Sequence, residues 1–197
     1  MNLTDYKAII KPLLSEKRYQ HSVNVAKEAV RLAKRYGADP EKAEAAGILH
    51  DVMKDTPPDE QLKMMMRFDI ILTDVEHNAQ KLWHAMCGAA YIEQELHIHD
   101  REILDAVRYH TTGRANMAPL EKVIFIADFI SAERDYDGVE LMRKAADVSL
   151  EQAMLEGVVF TMQDLAQRFK PIHPDTVSAY NWVVLDYADT IKVTNEL

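Results

Sequence analysis

The chain has 197 residues, with 23 Lys and Arg against 32 Asp and Glu, a formal net charge of -9 and a single cysteine, Cys87, which excludes an intrachain disulfide. That length fits one domain able to bury roughly 70% of the surface its unfolded form exposes, so no staples are needed. The negative balance argues against a nucleic acid polymer or an anionic membrane as partner, because such binding rests on Lys and Arg displacing counterions.

Met1 is followed by Asn2-Leu3-Thr4-Asp5 rather than a basic-then-apolar leader, and no apolar run approaches membrane-spanning length. The expectation is a cytoplasmic protein. Only six glycines, few β-branched runs and abundant Ala, Leu, Glu, Lys and Met predict an all-α fold. Thr4 can cap a short first helix that Pro12 must kink or end. Ser15 can cap the next, which carries His21, Val25, Ala29 and Leu32 and stops at Gly37. Asp39-Pro40 pairs a cap with proline at the first helical position and opens the helix bearing His50-Asp51. Thr56-Pro57-Pro58 ends that helix and opens another.

Thr73 or Asp74 begins the approach to a helix from about Ala79 to Leu96, on which Trp83, His84, Cys87 and Tyr91 fall at helical spacing. Asp100 caps a helix running into His110. After a loop from Gly113 to Pro119, Leu120 to Ala132 predicts a strongly apolar helix with Asp128 inside it, where an unpaired buried carboxylate would be costly. Two further helices, about Ser149 to Phe169 and Pro174 to Thr190, flank a loop around Lys170-Pro171-Ile172-His173. No repeat, low-complexity tract or linker divides the chain.

The residues with chemistry stand in a fixed order: His21, His50-Asp51, His84, His110, Asp128. His21, His50, Asp51 and Asp128 offer two neutral nitrogen donors and two anionic oxygens with no thiolate. That set suits iron, manganese, cobalt or zinc with positions left open, and Asp51 could bridge a second ion held by His84 and His110. Metal coordination lowers the pKa of water by several units, which supplies hydroxide near neutral pH. Lys54, four residues after His50, is expected on the same helical face, within reach of a phosphate oxygen. Arg18, Lys54, Arg114 and Arg134 are the candidates for local positive charge around a polyanionic substrate. His77, His97 and His99 read as surface residues, Met64-Met65-Met66 as flexible packing and Trp83 as core.

The ordered set is the signature of the HD metal-dependent phosphohydrolases. Beyond it, Leu49-His50-Asp51-Val52-Met53-Lys54-Asp55, Trp83-His84-Ala85-Met86-Cys87-Gly88-Ala89, Tyr109-His110-Thr111-Thr112-Gly113, Ile126-Ala127-Asp128-Phe129-Ile130 with Arg134, and Ile172-His173-Pro174-Asp175-Thr176 resemble the YqeK-type HD proteins, the symmetrical bis(5'-nucleosyl)-tetraphosphatases. The resemblance spans nearly the whole chain. It implies a single HD-type helical bundle over residues 1–197 with a metal site in its core, and hydrolysis of diadenosine tetraphosphate to two ADP. One or two divalent or trivalent ions, usually iron, would be held by His21, His50, Asp51 and Asp128. Asp51, Lys54, His84 and His110 would act in catalysis. Substrate contacts would fall at Arg18, His21, Lys54, Asp55, His84, His110, Thr111, Arg134, Lys170, Pro171, Ile172, His173 and Asp175. A homodimer is expected by analogy. The residues themselves leave open an HD phosphohydrolase of a mononucleotide or guanosine alarmone, or a non-catalytic nucleotide sensor.

Overall fold

The computed structural model describes residues 3–187, and its regular elements are all helical. Helix α1 (Leu3–Ile10) begins one residue ahead of Thr4, so Thr4 lies inside it instead of capping it. Ser15 precedes α2 (Glu16–Tyr36), but its side chain makes no cap bond; its backbone N–H donates to the Asp55 carboxylate at 2.8 Å. The end of α2 follows the expectation: Gly37 turns left-handed at φ 75°, a conformation open to glycine without steric cost. The Asp39 side chain accepts from the N–H groups of Glu41 and Lys42, and Pro40 opens α3 (Pro40–Leu49).

His50 and Asp51 follow α3 in a run of turns, in which Lys54 N–H donates to the Asp51 carbonyl at 2.8 Å. Lys54 therefore reaches the site from a turn and not, as its spacing suggested, from the next step of a helix. Helix α4 (Pro58–Arg67) comes next. A capping box between Thr73 and Glu76 then starts the short α5 (Asp74–His77). The helix expected from Ala79 to Leu96 resolves into a 3-10 turn, Gln80–Leu82, and α6 (Trp83–Gln94). Asp100 caps α7 (Arg101–Tyr109), and α8 (Pro119–Ile130) carries Asp128.

Helix α9 (Val139–Val148) is an addition, because the sequence reading placed no element between Ala132 and Ser149. Ser149 then caps α10 (Leu150–Gln167) through Gln152 N–H, and α11 (Pro174–Tyr187) follows. The expected extension of this last helix to Thr190 lies outside the described residues.

The apolar faces close into two adjoining cores. One gathers Val25 and Leu32 of α2, Ile124 and Phe125 of α8 and Met154 and Val158 of α10; the other gathers Ile48, Val52, Met86, Cys87 and Val107. Each such side chain contributes about 1.5–3 kcal/mol on burial. Gly47 lets α2 and α3 meet backbone to backbone, since a Cβ there would stand 2.6 Å from Ala26 Cα. That contact sits just after His21 on one helix and just before His50 on the other. Trp83 is core, its indole N–H donating to the Glu76 carbonyl at 2.7 Å. Met65 is buried while Met66 is 73% exposed, so only part of the methionine run packs. His77, His97 and His99 are exposed. Among the described residues, no helix is long and apolar enough to cross a membrane.

Candidate metal centre

Five helices deliver one polar cluster where the two cores meet. His21 comes from α2, His50-Asp51 from the turn after α3, His84 from the start of α6, His110 from the end of α7 and Asp128 from α8. The imidazoles form a row, with ring centroids 5.2 Å apart for His21 and His50, 5.0 Å for His50 and His110, and 5.1 Å for His110 and His84. Asp51 lies along it. Its Oδ2 is 3.8 Å from His21 Nε2 and 3.7 Å from His50 Nε2, while Oδ1 is 3.1 Å from His84 Nε2 and 3.5 Å from His110 Nε2. Asp128 Oδ1 stands 3.0 Å from His21 Nε2.

The donor set fits a metal. His50 Nδ1 lies 2.8 Å from the Gly47 carbonyl and His110 Nδ1 lies 2.7 Å from that of Val107, which assigns each ring proton to Nδ1 and leaves Nε2 with a lone pair facing the cluster. His21 Nε2, His50 Nε2 and Asp51 Oδ1 are buried without an aligned hydrogen-bond partner. An unsatisfied buried polar group costs about 1–3 kcal/mol, and a cation between these atoms removes the cost at several of them together. Three overlapping groups have their ligand atoms within 4.8 Å: His21, His50 and Asp51; His50, His110 and Asp128; and Asp51, His84 and His110. The two oxygens of Asp51 thus face different members of the row.

Protonation agrees with that fit. Burial lowers His50 and His84 to about 4, so both rings are neutral near pH 7. Burial pushes Asp51 up, but His50, His110, His84 and Lys54 together hold it well below the ordinary carboxylate range. Asp128 is held down likewise, against burial, by His21, His50 and Arg134. For His21, burial lowers the pKa, and Asp128, Glu133 and Asp51 outweigh it, so the net direction is upward. Neutral imidazole and ionised carboxylate are the forms that bind metal.

Glu133, which the sequence reading passed over, holds His21 from behind. Its Oε1 accepts from His21 Nδ1 and from Ser131 Oγ at 2.8 Å, and its Oε2 from Asn24 Nδ2 at 2.7 Å. A carboxylate behind a ligating imidazole orients the ring and raises its basicity. Around the cluster stand three cations: Lys54, with Nζ 3.0 Å from His84 Nε2 and 3.5 Å from Asp51 Oδ1; Arg18, 3.7 Å from Asp51 Oδ2; and Arg134, bonded to the Asp128 carbonyl and carboxylate. Arg114 is committed elsewhere, to Glu121 at 2.6 Å and Asp105 at 3.1 Å.

A cavity of about 460 Å³ is lined by Leu82 and Thr111, near neighbours in sequence of His84 and His110, and by Lys170, Pro171 and His173 among others. Thr111 Oγ1 is buried there without a partner. His173 is oriented by Glu76, whose Oε1 lies 3.4 Å from Nε2, and by Asp175 N–H, which donates to Nδ1 at 3.1 Å. Ile172 and Asp175 are not among the lining side chains, and Asp55 is exposed on the Ser15 amide. Glu76 carried a sequence signal in its capping box with Thr73; Glu133 carried none.

The HD domain model matches residues 18–133. The chain is 42% identical to a protein of Bacillus subtilis named bis(5'-nucleosyl)-tetraphosphatase, symmetrical, over 93% of this chain and 98% of that one. It is 34% identical to a protein of the same name from Staphylococcus aureus, over 96% and 97%. A crystal structure from Clostridium acetobutylicum, described as a predicted HD superfamily hydrolase involved in NAD metabolism, superposes with a TM-score of 0.91 at 34% identity, covering 94% of this chain and 98% of that one. With His21, His50, Asp51, His84, His110 and Asp128 gathered in one cluster that could hold a metal, the chain belongs to the HD domain family and groups there with the symmetrical bis(5'-nucleosyl)-tetraphosphatases.

Proposed function

We propose that this protein is a hydrolase that cleaves diadenosine tetraphosphate, and related dinucleoside polyphosphates, symmetrically into two nucleoside diphosphates. The observation that carries the reading is the set of unpartnered buried atoms on His21, His50 and Asp51 together with a cavity with an unpartnered Thr111 hydroxyl. Its relatives over nearly their full length carry that activity in their names.

His21, His50, Asp51 and Asp128 would hold the metal, with His84 and His110 on the other oxygen of Asp51 if a second ion binds. Iron is the metal we propose, with manganese, cobalt or zinc as alternatives of the same donor preference. When bound, the metal supplies Lewis-acid polarisation of the phosphoryl oxygen and a lowered pKa for water. The protein's own residues do the rest. Thr111, Lys170, Pro171 and His173 seat one nucleoside, and Lys54, Arg18 and Arg134 meet the phosphates. A water oxygen then bonds to the second phosphorus and gives up its protons to solvent, the bridging P–O bond breaks with its electron pair going to the departing oxygen, and the departing half leaves as a nucleoside diphosphate. Ile172 and Asp175 act through His173, and Asp55 through the start of α2. We place the protein in the cytoplasm as a homodimer.

Product analysis tests the reading. Chromatography should show ADP alone, with one of the two molecules carrying the label after turnover in oxygen-labelled water. AMP plus ATP would mean an anchoring register shifted by one phosphate. No turnover beside brisk hydrolysis of a mononucleotide or a guanosine alarmone would replace the substrate class. Asp51→Ala should lose both metal and turnover while keeping its helical content.

A further inference from the structure

The cavity proposed to seat a nucleoside holds more positive charge than an uncharged nucleoside can use. Lys81, Arg168 and Lys170 line it, and no Asp or Glu does. That wall runs against the composition of a chain with 32 acidic and 23 basic residues. Two other concavities follow the composition: one beside Arg108 is also lined by Asp69, Glu76, Glu93 and Asp105, and one beside Arg31 by Glu28 and Asp147. We propose that Lys81, Arg168 and Lys170 bind a phosphate carried on the ribose of the seated nucleoside, so that the substrates include dinucleoside polyphosphates esterified at a ribose 2' or 3' oxygen. The inference rests on the nucleoside seat and the symmetrical cleavage proposed above.

The three charges are available. Lys81 and Lys170 are exposed and form no ion pair among the described residues. Arg168 bonds Asp164 through Nη2 at 2.6 Å, a half-exposed pair one helical turn apart, which leaves the other donors of its fork for a second anion. The polyphosphate does not account for them, because Lys54, Arg18 and Arg134 are the cations that stand at Asp51 and Asp128.

The rest of the wall matches a ribose that bears such a group. Thr112 donates to the Gly113 carbonyl, Thr161 to that of Gly157 and Thr176 to that of Thr112, each at 2.9 Å. The Thr111 hydroxyl, one peptide bond from His110, is the one left buried without a partner, and it suits the sugar oxygen that stays free. Dinucleotide sites for an unmodified ribose set a carboxylate against its hydroxyls, whereas sites for a phosphorylated ribose set an arginine there. This cavity has the arginine and lacks the carboxylate. Glu76 reaches His173 but is outside the wall, and its oxygens are already taken by Arg108 at 3.2 Å and by Thr73 N–H at 2.8 Å. A volume of about 460 Å³ lies within the range of small-molecule sites.

Calorimetric titration of the metal-loaded protein with adenosine 5'-monophosphate, adenosine 2',5'-bisphosphate and adenosine 3',5'-bisphosphate tests this. Wild type is compared with the double variant Lys81→Gln/Arg168→Gln, whose substitutions are both at exposed positions. One bisphosphate should bind wild type about ten-fold more tightly than the monophosphate, and the ratio should fall to about two-fold or less in the variant. Equal affinity of wild type for all three nucleotides overturns the proposal. So does a ratio that the variant keeps in full, which would put the extra phosphate on the metal. A wild-type enzyme that leaves diadenosine tetraphosphate intact overturns the symmetrical reading and the substrate class named here with it, whereas active enzyme with equal affinities overturns this inference alone.

Discussion

His21 donates through Nδ1 to Glu133, a residue 112 positions away in the chain that no sequence pattern had marked. The same carboxylate is fixed by Ser131 and Asn24, so the ring it holds has one orientation, with Nε2 toward Asp51 and Asp128. Glu133→Gln keeps the shape but weakens the acceptor. Metal affinity, read by chelator competition, should drop about 10–100-fold. Wild-type affinity in that variant would show that the carboxylate has no part in orienting His21.

Lys54 touches both His84 and the Asp51 carboxylate from a turn and is not itself a metal ligand. Lys54→Ala should therefore leave metal content near wild type while lowering kcat/KM. A charge-assisted contact to phosphate is worth on the order of 1.5–3 kcal/mol, about one to two decades in rate when the transition state uses it. Unchanged kinetics would place the ammonium outside the reaction.

Metal uptake should weaken with acid, and His21 sets where. His50 and His84, lowered by burial to about 4, stay neutral down to that range and do not compete. His21 is lowered by burial but raised more by Asp128, Glu133 and Asp51, so it keeps its proton above its ordinary value and must release it to bind metal. Affinity should then rise with pH through that raised value. Metal-free stability runs the opposite way: the gain from protonated His21 is full below its unfolded pKa and is lost as pH rises through the folded one. Chelator titrations and metal-free melting curves between about pH 5.5 and 8 check both signs. A metal affinity independent of pH would remove His21 from the ligand set.

Gly47 is where α2 and α3 touch, and its carbonyl accepts from His50. Gly47→Ala puts a methyl 2.6 Å from Ala26 Cα, where backbone must move. Overpacking of this kind costs about 1–3 kcal/mol. Thermal melting should fall by roughly 2–12 °C for a chain of this size. Metal affinity should fall with it, because the shift separates His50 from His21. An unaltered melting temperature would show that the helices part without cost.

Much of this molecule was legible from local chemistry. Asp39-Pro40, Asp100, Ser149 and Gly37 mark helix ends because a side-chain acceptor or a left-handed residue acts within a few positions of itself. The ordered His and Asp residues were legible for a related reason, since metal ligation needs particular atoms whatever the helices around them do. Helix α9 was not legible: it starts at Gly138 without a side-chain cap, and its burial depends on α8 and α10, which meet it only after folding. Only the tertiary structure decided which carboxylate stands behind His21, and that Asp55 serves the Ser15 amide and Arg114 the start of α8. Those relationships join residues far apart in sequence. Their energy comes from desolvation and alignment at the point of contact, quantities that have no value until the chain has closed around them.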